Sequence, residues 1–133
     1  MTNEAPAWQS LESFSFGDSP ALADELAALV LDGSKRATCW PVTDGPLTQI
    51  GKRMVMLDGS GRPRAVLETV DLCNKRYDEV DAGFASAEGE GDRSLQYWRE
   101  AHRRYFSRTG QFADDMMLYC ERFRVVELIG QTG

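Results

Sequence analysis

Two apolar runs of strand length joined by a glycine-containing turn constrain this chain more than any other feature. Arg53-Met54-Val55-Met56-Leu57 leads into Asp58-Gly59-Ser60-Gly61, and Arg64 to Leu72 is again rich in Val, Leu and Thr. So short a connection joins antiparallel neighbours, because parallel strands need a crossover of about a dozen residues or more. Both runs are apolar continuously rather than alternately. The expectation is therefore strands covered on each side, as in a small closed or nearly closed barrel.

Helical patterns flank the hairpin. Ser19-Pro20 offers a hydroxyl cap and a proline at the first helical position, and Leu22, Leu26, Leu29 and Val30 form one apolar stripe that Gly33 ends. Ser94 or Asp92 caps a second helix with the stripe Leu95, Trp98, His102, Tyr105 and Phe106, closed by Thr109-Gly110. Thr38 to Pro41 is β-prone, and Met116 to Ile129 is the longest β-like run. Residues 78 to 93, where glycines alternate with acids, read as a loop. Trp8, Leu11, Phe14 and Phe16 suit an extended arm behind a flexible tail at residues 1–10. The order predicts an α+β fold with an antiparallel sheet and two main helices, as one domain over residues 1–133.

Charge and cysteines narrow the function. Twenty-one acidic against fifteen basic residues leave a net charge of -6, which disfavours tight non-specific binding of long nucleic acid. Lys35-Arg36, Lys52-Arg53, Lys75-Arg76 and Arg103-Arg104 leave a local basic patch as the open alternative. Cys39, Cys73 and Cys120 are odd in number and form no Cys-x-x-Cys pair, so neither a disulfide framework nor a zinc site is indicated, and no metal or cofactor is expected. With no basic segment preceding an apolar run at the N-terminus and no window of membrane-spanning length, a cytoplasmic protein without a membrane partner is expected. No glycine loop of phosphate-binding type lies between a strand and a helix.

One hexapeptide carries chemistry. Gly33-Ser34-Lys35-Arg36-Ala37-Thr38 places an amine three residues before a hydroxyl, just past a helix stop. On a flat strand those two side chains would face opposite ways, so the chain must bend if they are to cooperate. The alternative is a solvated helix end with cations set against the dipole.

These residues resemble the Gly-x-Lys-x-x-Thr signature of ASCH domains, which have a PUA-like β-barrel fold. Ile50-Gly51-Lys52-Arg53, Ala87-Glu88-Gly89-Glu90-Gly91-Asp92 ahead of Tyr97-Trp98 and His102, and Tyr119-Cys120-Glu121-Arg122-Phe123 resemble one bacterial branch of that family, so the likeness spans roughly Phe14 to Leu128. Some small bacterial ASCH proteins are amidohydrolases that remove the acetyl group of N4-acetylcytidine with a lysine, a threonine and a glutamate. The resemblance carries these roles to Lys35, Thr38 and Glu90, and implies a small nucleoside as the partner. Where those enzymes have an arginine two residues after the threonine, this chain has Trp40, so stacking on the substrate ring is expected instead, with barrel core as the other reading of Trp40. Glu88 and Asp92, in the same acidic loop, are expected at the substrate too. The alternative is an RNA-binding or RNA-cleaving protein, since PUA-like barrels often hold RNA and some ASCH proteins are described as ribonucleases. No DNA partner is expected.

A threonine hydroxyl needs a base to become a nucleophile, and lysine serves only with its pKa well below about 10.4. Burial would lower it, whereas Glu90 and the helix end would raise it. The expected scheme has Lys35 accept the Thr38 proton, Thr38 attack the amide and Glu90 act on the nitrogen. Glu68 and Glu121 are carboxylates in apolar strands, expected to face solvent or to pair with arginines such as Arg64 or Arg122, with the pocket as the other reading. His102 reads as packing and Cys39 as a small buried hydrophobe.

Overall fold

The computed structural model describes residues 8–130. Most of the expected tail, residues 1–7, and the last three residues lie outside them; Trp8–Ser10 form one turn of 3-10 helix. The elements that follow are β1 (Ser13–Ser15), α1 (Pro20–Leu31), β2 (Ala37–Pro41), β3 (Arg53–Leu57), β4 (Pro63–Arg76), α2 (Ala82–Glu88), α3 (Leu95–Arg108) and β5 (Met117–Leu128).

The α+β class stands, with differences in detail. The five strands form one sheet in the order β1-β3-β4-β5-β2. It is open rather than closed, with β1 and β2 at its edges. It is also mixed, because the three-residue β1 runs parallel to β3 while every other pair is antiparallel. The arm around Phe14 thus adds an edge strand.

Each face of the sheet has its own core. Along β5 the side chains alternate, so Leu118 and Cys120 face one way and Phe123 the other. Phe123 joins Phe16, Met56, Ala65 and Leu67 under the buried stripe of α1, Leu26, Ala27 and Val30. Leu118 and Cys120 join Tyr77, Phe84, Trp98 and Phe106 under α2 and α3. The continuous apolarity of the central strands reflects burial of both their faces, since Val55 and Val66 are buried as well as Met56, Ala65 and Leu67. Cys73, Cys120 and Cys39 lie side by side across β4, β5 and β2, and all three are free thiols.

Caps fix the helix starts. Ser19 accepts from the amide of Leu22 (3.1 Å), and Ser94, not Asp92, accepts from that of Tyr97 (3.0 Å). The segment read as a loop contains a third helix, α2, capped by Asp81 on the amide of Phe84 (2.8 Å) and stopped at Gly89. Only glycine suits that stop. Its φ is +75°, and a Cβ there would lie 2.2 Å from the carbonyl oxygen of Ser34. The end of α2 is thereby pressed against the end of α1.

Gly89→Ala adds a left-handed strain and a clash with backbone that no rotamer relieves. It should lower stability by about 2 kcal/mol or more, which is roughly an 8 °C fall in a thermal melt. An unchanged melting temperature would show that this approach is not tight.

Candidate functional site

The segment ahead of β2 is tied to three elements. The amides of Ser34 and Lys35 donate to Leu29 O in α1 (3.0 and 3.1 Å), that of Arg36 donates to Ala87 O in α2 (2.7 Å), and Arg36 O accepts from the amide of Phe123 in β5 (3.0 Å). These bonds fix the irregular segment that carries Lys35, just before β2 begins at Ala37. Lys35 is no solvated cap residue: it is 2% exposed. Its Nζ donates to Ala37 O (2.9 Å), Glu88 Oε1 (3.0 Å) and Glu90 Oε2 (2.7 Å). An ammonium has three protons, and all of them are engaged.

The reversal at Gly89 makes this convergence possible. Within a continuous helix, side chains two residues apart do not face the same partner. Glu88 closes α2, Gly89 turns the chain left-handed, and Glu90 comes back onto the same ammonium.

Glu88 is 1% exposed. Its Oε2 accepts from the Trp98 indole (2.9 Å) and lies 3.6 Å from His102 Nε2. His102 stacks on Trp98 at 4.3 Å, and its Nδ1 lies 2.9 Å from Trp98 O, to which it donates. Burial alone would push the Lys35 ammonium down. The Glu88 and Glu90 carboxylates outweigh it and hold its pKa well above the ordinary value. Burial likewise pushes Glu88 up, and Lys35, His102 and Trp98 together bring it below its usual range. Lys35 is thus a charged donor between two anions, not the neutral base the sequence reading assigned it.

Lys35, Thr38, Glu88 and Glu90 line one cavity of about 360 Å³, together with Trp40 and His102. Lys35 and Thr38 share it without a hydrogen bond to each other. Thr38 is half-buried, and its hydroxyl has no hydrogen-bond partner among the described residues. Glu90 keeps a side-chain exposure of 21%, so it alone of the two carboxylates meets the cavity with free capacity. Trp40 lies at the wall, with its indole donating to Gly45 O (2.8 Å) and its ring against Tyr119 at 5.6 Å. Asp92 is not brought to the site; it is exposed and accepts from the Ser94 amide (2.9 Å). Glu88 is present but serves the protein, because both its oxygens are occupied.

Two strand carboxylates have different fates. Glu68 pairs with Arg53 (2.9 Å) and Arg124 (3.2 Å), in line with its surface reading. Glu121 does not. It stands opposite Thr38 in the β2–β5 register and faces a second cavity of about 300 Å³. An odd position in β5, shared with the core residue Phe123, was the available signal.

Cys39, Glu88 and His102 place their donor atoms within 4.8 Å of one another. A metal ion there would have to displace Lys35 or Trp98 from Glu88. Burial first, and then the Glu88 carboxylate, pushes the Cys39 thiol well up, which opposes the thiolate form that ligation requires.

Half of the cations in the basic pairs are bound, while Arg36, Lys75, Arg103 and Arg104 form no ion pair among the described residues. Lys35 is buried, Lys52 pairs with Glu12 (2.9 Å), Arg53 with Glu68, and Arg76 with Asp78 (2.7 Å). No described helix is long and apolar enough to cross a membrane.

The ASCH domain model matches residues 12–127, which include all of these groups. The chain belongs to the ASCH domain family. Among solved structures, an ASCH domain from Lactobacillus crispatus JV V101 superposes with a TM-score of 0.81 at 36% identity, covering 90% of this chain and 82% of that one. A protein from Enterococcus faecalis V583 superposes at 0.77 and 33% identity, covering 88% and 77%. No curated protein matches the sequence. ASCH domains have a PUA-like fold and are associated with RNA binding.

Lys35→Met leaves the ASCH domain with a buried Glu88 carboxylate and no counter-charge. It should cost about 3–5 kcal/mol in urea unfolding, and adding Glu88→Gln should recover part of that loss. Equal midpoints for wild type and Lys35→Met would remove the structural role claimed for the pair. Linkage sets the pH range. The depressed Glu88 contributes stability above about pH 4.5 that is lost as pH falls through its lowered folded value, and the raised Lys35 contributes below about pH 10.5 and loses this as pH rises through its elevated one. Stability against pH should therefore fall at both ends, and more steeply than in Lys35→Met/Glu88→Gln.

Proposed function

We propose that this ASCH domain is a cytoplasmic amidohydrolase that removes an acyl group from an acylated pyrimidine nucleoside of the N4-acetylcytidine kind. The observation that carries the reading is a buried ammonium held between two carboxylates in the lining of a cavity, which is also lined by a hydroxyl without a hydrogen-bond partner among the described residues. Such a cluster is costly to bury and adds little stability against an apolar replacement, so its presence in a cavity favours a chemical role.

In this scheme Thr38 Oγ1 attacks the amide carbonyl and its proton passes to Glu90. The C–N bond then breaks, and Glu90 returns the proton to the departing nitrogen. Water, deprotonated by Glu90, cleaves the Thr38 ester, and the proton goes back to Thr38. Lys35 stays charged throughout. It orients Glu90 and offsets the negative charge that develops on the carbonyl oxygen in a water-poor site. Trp40 supplies a face for the base ring.

A second reading, an RNA-binding module, is favoured by Arg104 at the cavity rim, which forms no ion pair among the described residues. The ion pairs that hold Lys35, Lys52, Arg53 and Arg76 weigh against it. A labelled oligoribonucleotide retarded at micromolar protein in a strongly salt-dependent way would favour it.

Incubation with N4-acetylcytidine should release acetate and cytidine, measured by chromatography. Thr38→Ala and Glu90→Gln should each lower kcat/KM by about 10²-fold or more, with Thr38→Ser far less impaired. Untouched substrate, or wild-type turnover by Thr38→Ala, ends the proposal.

A further inference from the structure

The second cavity, of about 300 Å³, sits at the small end of the range for ligand sites. It adjoins the first, and Thr38 and Trp40 line both. Its walls are largely apolar and aromatic, with Phe16, Leu67 and Phe123 among them. Into this wall the protein places a chain of polar groups. Glu121 Oε2 accepts from Thr69 Oγ1 at 2.6 Å, and Thr69 Oγ1 lies 2.8 Å from Thr48 Oγ1.

The direction of that chain follows from proton counting. Thr69 has one proton and gives it to Glu121, so the proton between the two threonines belongs to Thr48. Toward the cavity the row therefore offers acceptors. Glu121 Oε1 has no hydrogen-bond partner among the described residues, and that oxygen is an acceptor too. Burial pushes the Glu121 carboxyl up, opposed by Thr69 and Lys35, as fits an acid left short of donors in the free protein.

The backbone is adjusted to make this row. Thr69 pairs with Phe123 but Asp71 with Arg122, so β4 carries one extra residue there. Such a bulge re-aims neighbouring side chains, and here Thr69 reaches Glu121 instead of its register partner. Thr38, opposite Glu121 across the β2–β5 pair, is on the order of 5 Å away at Cβ.

We infer that this cavity is the ring compartment of the site, and that Glu121 is its specificity-determining acceptor, taking the N–H of an aminated or acylaminated heterocycle whose amide lies over Thr38. This rests on the hydrolase reading and adds to it a preference: a ring bearing an N–H is bound, and the same ring fully alkylated on that nitrogen is refused. A donorless ring leaves a carboxylate desolvated and unpaired, the case in which polar sites discriminate most.

The test measures binding of 1-methylcytosine and its N4,N4-dimethyl derivative to the full chain by calorimetric titration, with turnover of N4-acetylcytidine in parallel. Wild type should bind 1-methylcytosine at least tenfold more tightly than the dimethyl ring. Glu121→Leu should lose at least tenfold for 1-methylcytosine and no longer tell the rings apart, while melting no lower than wild type, because it replaces a half-buried carboxyl with an apolar group. Glu121→Gln keeps an acceptor oxygen and should stay within about threefold. The inference falls if wild type binds no 1-methylcytosine, if it binds both rings equally, or if Glu121→Leu still discriminates. Should Glu121→Leu not fold, the wild-type ratio of the two rings decides alone. Glu121-dependent ring binding without amide turnover keeps the compartment and removes the hydrolase. Turnover and ring binding indifferent to Glu121 do the reverse.

Discussion

The ammonium of Lys35 is the charge on which the rest of the site depends. Its burial is tolerable only because Glu88, Glu90 and Ala37 O take all three of its protons. Each partner in turn needs something else: the left-handed Gly89 ahead of Glu90, the Trp98 indole on Glu88, and the capped α2 that ends in Glu88. Two carboxylates around one ammonium leave a negative charge in excess at the cavity. A charged Lys35 thus leaves Glu90 as the base in the proposed scheme, with the same set of groups.

The sheet is the mount for this cluster. β5 occupies a central position, and its alternation sends Leu118 and Cys120 into one core and Glu121 and Phe123 toward the other. Thr38 and Trp40 come from the neighbouring β2, in register with Glu121 and Tyr119. A single strand pair therefore presents the hydroxyl, the aromatic face and the second carboxylate to adjoining cavities. Segments outside the helices and strands supply Lys35, Thr48 and Glu90.

What could be read from the residues divides by the range of the interaction. The hairpin, α1 and α3 depend on local pattern, and Asp58-Gly59, Ser19-Pro20 and the Trp98–Phe106 stripe announce them. The helix α2 was legible in principle from Asp81 as cap and Gly89 as stop, but seven residues make too short a period to stand out from a polar loop. The parallel pairing of β1 had no signal, because three residues are fixed by the core that receives Phe14 and Phe16. The protonation of Lys35 turns on how many carboxylates reach it, a count set by contacts 53 and 55 residues away in the chain. Glu121 looked like Glu68 in sequence. Which face of its strand each occupies, and whether an arginine stands across from it, separates them.

β2 is an edge strand, and this has a dynamic consequence. Central strands such as β4 have their amides shielded on two sides, and edge strands open at lower free energy. Thr38 and Trp40 thus ride on a strand with one strand neighbour, beside Glu121 on a strand with two. In hydrogen exchange the boundary between slow and fast amides should run through the cavity itself. A site built across that boundary can widen on one side to admit a ring while the opposite side keeps its geometry.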